Sequence, residues 1–583
     1  MIDGAALAAA PAPRARRPRL LPWAPLVTLA LLIGPVAAGL AGTLAPAFGW
    51  LPGLEAAPGL SAPGLWPWRD LLAWPGLTAA ARLSVTTGLL STALSLALAL
   101  SICAAWQGTR AFAAIERALS PLLSVPHAAA AFGLAFLIAP SGWIARAFSP
   151  WATGWTTPPD LLITQDPWGL SLTAALVMKE TPFLLLMTLA ALAQTDAQRA
   201  RLTAQTMGYG RMTAWLKVVA PRVYPQIRLP VYAVLAYAMS VVDVAMILGP
   251  TTPRPLAAQV ALWIADPDLA LRFRAAAGAI LQLLLVLGAL GLWRLGEIAG
   301  ARLCVAWSCA GGRGLHDGPA RGAALTAAGL IAGAAALGLA GLALWSVAGL
   351  WTFPNALPDA LSLRVWRAQA GGLIGAGGET ALIGAAATLI ALTLTLACLE
   401  AEHRHGVRPS TRALWLLYLP LIAPQVAFLF GLQTLAAAVG LDGSRAAVIA
   451  AHAVFVTPYV FLSLADPFRA WDARLDLVAR SLGAGPDRVL WAVRLPMLLR
   501  PCLTAAAVGF AVSVGQYLPT LLIGGGRVAT LTTEAVALAS GGDRRVIGAF
   551  ALMQMVAPFA GFALALAIPA LVHRNRRGLR HGP

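Results

Sequence analysis

The chain of 583 residues is 59% hydrophobic and only 11% charged, which is too apolar for a soluble globular protein. Its formal net charge of +18 would suit nucleic-acid binding only if the basic residues formed one continuous face. They lie instead in short segments between long apolar stretches, which argues against nucleic acid and indicates a protein embedded in a membrane.

Twelve apolar stretches are long enough to cross a bilayer, since a transmembrane helix needs about 20 mostly apolar residues. Backbone groups in hydrocarbon must be hydrogen-bonded internally, so we predict an all-α polytopic membrane protein with about 12 transmembrane helices. The first six stretches lie near residues 22–45, 84–106, 119–140, 168–193, 228–249 and 275–295. The second six lie near residues 324–350, 379–399, 413–438, 446–465, 501–523 and 546–572.

These stretches predict two membrane halves of six spans each, joined by a linker and flanked by basic termini. The predicted segments are the N-terminus 1–21, the first half 22–296, the linker 297–323, the second half 324–573 and the tail 574–583. Most of the 42 Lys and Arg residues fall in the termini, the linker and the loops on the same side of the membrane. By the positive-inside rule this side is cytoplasmic, so both termini are predicted to be cytoplasmic.

The first span is predicted to be retained as a transmembrane helix. Four arginines precede it, as they would in a secretory signal peptide. The charge-free run from Leu20 to Ala45 is nevertheless longer than the roughly 7–15 residues of a signal h-region.

An internal repeat relates the loops that follow the fourth and tenth spans. The first loop contains four anchor residues, Ala204, Gly208, Val218 and Pro221. The second contains the same pattern 275 positions later, at Ala479, Gly483, Val493 and Pro496. Two segments with the same internal spacing indicate duplication within one chain, and the two halves are predicted to be parallel repeats.

The paired loops, 202–221 and 477–496, resemble the cytoplasmic Glu-Ala-Ala loop of permeases from binding-protein-dependent ABC importers. That loop reads E-A-A, three residues, G, nine residues, I, one residue, L, P. Both loops here keep the third-position Ala, the Gly and the Pro, with Val in place of Ile. Both lack the initial Glu and the second Ala. The resemblance is closest to fused two-half permeases of the iron(III) and thiamine type.

The resemblance implies a bacterial inner-membrane permease subunit that forms the solute path and couples it to a separate ATPase. The implied partners are a cytoplasmic ABC ATPase dimer, a periplasmic or extracellular solute-binding protein and the lipid bilayer. In the resembled family a coupling helix in each loop docks on the ATPase. The residues fit this role, because Gly can end one helix and Pro can open the next. The coupling helices are predicted over Met212–Val219 and Asp487–Arg494.

The chain itself is not predicted to be an enzyme. A nucleotide-binding loop of the Walker type requires a Lys followed by Ser or Thr after spaced glycines, and neither lysine of this chain has that context. The five cysteines form no C-x-x-C pair and lie at no metal-ligand spacing with His. We therefore predict no catalytic residues and no bound metal or cofactor, with ATP and Mg²⁺ held by the partner ATPase.

Four polar residues inside the spans are candidates for the translocation path. Ionisable groups at bilayer depth cost at least about 2.5 to 3.5 kcal/mol, so they mark either a water-lined path or a paired structural site. Lys179 and Glu180 precede the break at Pro182 in the fourth span, and Asp243 lies on the fifth. We predict that Asp243 faces Gln516 of the eleventh span across a central path. Hydrogen-bonded packing between helices is the alternative.

An ion-coupled secondary transporter with two six-helix repeats is the alternative function. A transporter of the major facilitator kind would carry G-x-x-x-D-R between its second and third spans, whereas residues 107–120 read QGTRAFAAIERALS. The outer loops at 49–75 and 524–545 are the predicted docking surface for a binding protein. The sequence does not specify whether the cargo is thiamine, iron(III), an oxyanion or a polyamine.

Overall fold

The computed structural model describes residues 20–51, 63–406 and 410–574. Regular structure in these ranges is helical, apart from an isolated bridge between Ala348 and Leu361. Nine helices of the described ranges are long and apolar enough to cross a membrane, or eleven if each of two sharply bent pairs forms one span. The predicted all-α membrane fold is confirmed. The basic N-terminus up to residue 19, the tail 575–583 and outer-loop residues 52–62 lie outside the described residues.

Thirteen α-helices form the first half, from the N-terminal span to the long helix that leads into the linker. They are α1 (Ala24–Ala47), α2 (Trp66–Ala73), α3 (Leu77–Trp106), α4 (Arg110–Leu119), α5 (His127–Ile138), α6 (Trp143–Phe148), α7 (Leu170–Ala193), α8 (Ala197–Thr206), α9 (Arg211–Ala214), α10 (Ala220–Ser240), α11 (Asp243–Leu248), α12 (Leu256–Ala265) and α13 (Leu271–Cys309). Short 3-10 turns lie at Leu21–Trp23 and Ser120–Leu123, and a π-helical turn at Trp215–Val219.

Thirteen further helices form the second half. They are α14 (Gly318–Ser346), α15 (Arg364–Ala368), α16 (Ala370–His405), α17 (Thr411–Ile422), α18 (Gln425–Ala438), α19 (Arg445–Arg469), α20 (Ala473–Ser481), α21 (Pro486–Val489), α22 (Leu495–Met497), α23 (Leu499–Val514), α24 (Leu518–Gly524), α25 (Leu531–Ala537) and α26 (Arg544–Val572). A π-helical turn lies at Leu490–Arg494 and a 3-10 turn at Leu538–Ser540.

The fifth span is broken in the structure, and most of the linker is helical. The fifth span falls on α10 and α11, and the chain breaks between them at Val241 and Val242. The first turns of α10 carry Arg222 and Arg228, so this helix is not apolar along its whole length. The predicted linker is largely helical, because α13 and α14 extend into it and leave residues 311–317 as the non-helical part.

The repeat extends through the coupling loops and the broken spans at a constant displacement of 275 positions. Matching helices begin at residues 211 and 486, at 256 and 531, and at Asp243 and Leu518. The two π-helical turns are displaced by the same amount. Asp243 therefore aligns with Leu518 in the structural repeat, two residues beyond its sequence-predicted counterpart Gln516.

The first helix of each half packs against the third span of the other half. Helix α1 lies against α18, and α14 lies against α5. A Cβ atom at Gly39 would lie 2.2 Å from the carbonyl oxygen of Phe428, and one at Gly338 would lie 2.8 Å from the carbonyl carbon of Gly133. Small residues let transmembrane helices approach closely enough for van der Waals packing to hold them together. The two halves are therefore interlocked through glycine contacts.

Candidate coupling loops and translocation path

The first coupling loop begins where α8 ends at a left-handed glycine. Gly208 has a φ of +85°. Its N–H donates to the carbonyl of Gln205 at 2.9 Å, and the N–H of Tyr209 donates to the carbonyl of Ala204 at 3.3 Å. These two bonds form a Schellman helix end, which satisfies free carbonyls and favours a residue that tolerates positive φ. The side chain of Ala204 is buried at this point.

The second coupling loop repeats this helix end after α20. Gly483 has a φ of +83°. Its N–H donates to the carbonyl of Arg480 at 2.9 Å, and the N–H of Ala484 donates to the carbonyl of Ala479 at 3.0 Å. The predicted Ala and Gly anchors thus have the same geometric role in both loops.

A short helix and a π-helical turn follow each glycine. Helix α9 continues into the turn at Trp215–Val219, and α21 continues into the turn at Leu490–Arg494. The predicted valine anchors lie in these turns and the proline anchors at the start of the following helices: Val218, Val493, Pro221 and Pro496. The chain is helical over both predicted coupling helices. The π-helical turns are a finding of the structure, because residue spacing alone did not predict them.

Gln107, directly after the end of α3, holds the first loop. Its carbonyl oxygen accepts hydrogen bonds from Arg201 at 3.0 Å and from Arg211. Its side-chain oxygen accepts from the indole N–H of Trp215 at 2.9 Å. The indole is fully buried. Helix α8 and two parts of the first loop are therefore attached to the end of one membrane span.

Buried ion pairs attach the second loop to the end of a membrane span, as Gln107 attaches the first. Arg494 is 1% exposed and donates to Glu400, near the end of α16, at 2.5 Å and to Asp476 on α20. His403 contacts the Asp476 carboxylate at 2.7 Å. Burial alone would raise the pKa of Asp476, but the hydrogen bond from His403 and the charge of Arg494 hold it below its ordinary value. Sequence reasoning missed this cluster, whose members are separated by up to 94 positions.

Lys179 and Glu180, predicted as path candidates, both have partners on neighbouring elements. The Lys179 ammonium donates to the carbonyls of Leu122 and Val125 at 2.7 and 2.6 Å. These carbonyls lie where the chain breaks before α5, and the lysine adds a hydrogen bond to each of them at this break. The Glu180 carboxylate lies 3.1 Å from Nε2 of His127.

Asp243 and Gln516 lie at the breaks of the fifth and eleventh spans. Asp243 is buried at the start of α11, within electrostatic range of His127 and of Tyr517 from the other half. The Gln516 amide donates to the carbonyl of His452 at 3.3 Å. Its buried side-chain oxygen has no hydrogen-bond partner among the described residues.

A central polar cluster joins residues of both halves around Asp243. The His127 and Tyr237 rings lie 4.8 Å apart, and Tyr237 is close to Glu180, Asp243 and Tyr459 of the second half. His127, Tyr237 and Tyr459 are partly exposed although they lie on helices inside the protein. We define these five residues as the central polar cluster. Sequence reasoning found its two carboxylates and missed its three rings.

Polar side chains from neighbouring helices bind the equivalent carbonyls at the ends of the two broken spans. Gln282 donates to the carbonyl of Met239 at 2.9 Å. Val514, displaced by 275 positions from Met239, accepts at its carbonyl from Thr532, whose hydroxyl accepts in turn from Gln554 at 2.7 Å. These hydrogen bonds stabilise both breaks, so the breaks are part of the fold.

The outer loop at 49–75, part of the predicted docking surface for a binding protein, uses some of its tryptophans for packing. Trp74 makes an edge contact with Trp263 at 4.9 Å, and Trp66 lies 5.0 Å from the ring of Phe273. Trp50 remains exposed.

Comparisons with known proteins find relatives along most of the chain. The family described as binding-protein-dependent transport system inner membrane component matches residues 396–574. The inner membrane ABC transporter permease protein YnjC of Escherichia coli is 34% identical over 524 residues, which cover 88% of this chain and 92% of the relative. No solved structure gives a significant match.

Shorter relatives match parts of the chain. The molybdenum transport system permease protein ModB of Mycobacterium tuberculosis is 34% identical over 168 residues, 26% of this chain and 63% of the relative. The spermidine/putrescine transport system permease protein PotC of Haemophilus influenzae is 23% identical over 183 residues, 31% of this chain and 71% of the relative.

The buried ion pairs predict a large local effect of Arg494→Met. This change leaves the carboxylates of Glu400 and Asp476 without their buried partner, a loss of about 3–5 kcal/mol in comparable cases. We expect amide hydrogen exchange of residues 473–497 to accelerate, with residues 197–219 unchanged. Arg488→Met, at an exposed position of the same loop, is the matched control. Equal exchange in the two variants would contradict the clamping role of Arg494.

Proposed function

The chain belongs to the inner-membrane permeases of binding-protein-dependent ABC transport systems, and on this premise we propose how its parts drive solute import. The single observation that carries the proposal is the pair of coupling loops, which repeat one helix end and one π-helical turn at a displacement of 275 positions. Each loop is attached to the end of a membrane span, so a force applied to the loop would move that span.

The proposed motor is a separate ABC ATPase dimer that binds both coupling loops in the cytoplasm. The second loop exposes apolar side chains outside the apolar spans: Leu477 is 70% exposed, Leu482 83% and Trp491 70%. Exposed apolar groups clustered on one loop favour a protein partner. ATP and Mg²⁺ would be held by that partner, and this chain would supply no catalytic residue. Both termini would then lie on the cytoplasmic side.

The proposed translocation path passes the central polar cluster and the breaks at Asp243 and Gln516. Three rings of the cluster are partly exposed inside the protein, and the cluster joins the two halves. Rigid-body movement of the halves would open the cluster to one side at a time. A solute-binding protein would deliver the cargo from outside.

The test of coupling is Gly483→Val, assayed as ATP-driven uptake in vesicles that contain the chain, its ATPase and its binding protein. A β-branched residue in the left-handed region costs about 1–2 kcal/mol. To avoid this cost the backbone at residue 483 would change conformation, and the coupling helix would point in a different direction. We expect uptake to fall by about tenfold, the equivalent of about 1.4 kcal/mol.

Gly485→Ala is the matched control for coupling, because Gly485 has a φ of −69° and a Cβ there would meet nothing within 4 Å. Its uptake should equal that of the unmodified chain. Full uptake by Gly483→Val, or uptake that persists without any ATPase, would overturn the proposed coupling.

The test of the path is Asp243→Asn, which keeps the size of the side chain and replaces the carboxyl group with an amide that does not ionise. We expect uptake to fall by about tenfold, about 1.4 kcal/mol, while ATP hydrolysis continues. Asp160→Asn, in an exposed outer loop, serves as the control. Unchanged uptake in Asp243→Asn would show that this carboxylate only helps to pack the helices.

A further inference from the structure

The non-helical part of the linker, residues 311–317, lies directly on the first coupling loop. We call these residues the linker segment. Three hydrogen bonds join it to the loop: the N–H of Gly210 to the carbonyl of Arg313 at 2.8 Å, the N–H of Met212 to the carboxylate of Asp317 at 2.9 Å, and the ammonium of Lys217 to the carbonyl of Gly312 at 2.8 Å. The linker segment is therefore bound along the loop.

The fit between the linker segment and the loop leaves no room for larger residues. A Cβ atom at Gly210 would lie 1.9 Å from the carbonyl oxygen of Gly314, and one at Gly314 would lie 2.1 Å from the hydroxyl of Thr213. The Lys217 ammonium also lies 4.6 Å from the centre of the Trp307 ring, on the end of α13. The contact thus depends on close backbone approach.

The second coupling loop has no such cover over its glycines within the described residues. Positions 483 and 485 correspond to Gly208 and Gly210 of the first loop, and a Cβ at either would meet nothing within 4 Å. At Gly208 the Arg313 guanidinium lies 3.2 Å from the Cβ position. A partner that sits over Gly483 on the second loop would therefore meet Arg313 at the equivalent place on the first.

The charges of the two loops differ in a way that the linker segment compensates. The second loop exposes Arg480 and Arg488. Their counterparts in the first loop, 275 positions earlier, are Gln205 and Thr213, which carry no charge. The basic residues that the first loop does contain, Arg211 and Lys217, are only partly exposed and donate to Gln107 and to the linker segment. The linker segment brings the exposed side chain of Arg313 to this surface.

We propose that the linker segment is part of the surface on which the ATPase docks. Arg313 supplies on the first loop the positive charge that Arg480 and Arg488 supply on the second. The partner that fits is an ATPase present in two identical copies, each with an acidic groove, because identical grooves require similar charge on both loops. This inference rests on the proposed function and extends the docking surface beyond the coupling loops.

The test is photo-crosslinking in membranes that contain the full chain and its copurifying ABC ATPase. Benzoylphenylalanine replaces Leu315, which is 65% exposed on the linker segment, or Leu482 of the second loop in a separate variant. We expect both variants to crosslink to the ATPase. Crosslinking from position 482 without crosslinking from position 315 would overturn this inference and leave the proposed function intact. Crosslinking from neither position would overturn the proposed function itself.

Charge reversal tests the assigned role of Arg313 in the same membranes. Arg313→Glu should weaken ATPase binding by roughly two- to fivefold, as expected for an exposed ion pair, and Arg488→Glu should do the same. Arg302→Glu, at an exposed position on α13, is the control and should leave binding unchanged. Weaker binding in Arg488→Glu with unchanged binding in Arg313→Glu would overturn the assigned role.

Discussion

Backbone groups in a bilayer have no water to bind, and this constraint organises the chain. It explains why regular structure in the described residues is helical and why polar side chains bind the carbonyls at the breaks before α5 and after α10. Lys179 satisfies two carbonyls before α5, and Gln282 satisfies the carbonyl of Met239. Polarity within a span therefore does not identify a solute path by itself. The central polar cluster differs because its rings are partly exposed and come from both halves.

Much of the architecture could be predicted because it is encoded locally. Long apolar runs predicted the spans, and the spacing of Gly and Pro predicted the helix breaks in the coupling loops. The structural repeat shows the limit of such patterns. A match of nearby residues paired Asp243 with Gln516, whereas the helix starts pair it with Leu518. The buried cluster around Arg494 had no local signal, because Glu400 lies on another helix far away in the sequence.

The two halves keep one backbone geometry with different side-chain chemistry. Gln107 holds the first loop through neutral and charge-assisted hydrogen bonds, whereas ion pairs of Arg494 hold the second. The linker segment covers only the first loop among the described residues. Duplicated loops that diverge in this way but retain the same helix end indicate that the direction of the coupling helices is the feature that matters. Because glycine contacts interlock the two halves, a movement of either coupling helix would act on both halves.

The most direct test of the account is the distance between the two coupling loops in different nucleotide states. Spin labels are attached at Thr206→Cys and Ser481→Cys, exposed equivalent positions in the two loops, in a variant whose five native cysteines are replaced. Pulsed electron spin resonance is then measured on the chain in complex with its ATPase. We expect the distance to shorten when ATP binds and to lengthen after hydrolysis. An unchanged distance in a complex that hydrolyses ATP and imports solute would contradict the account.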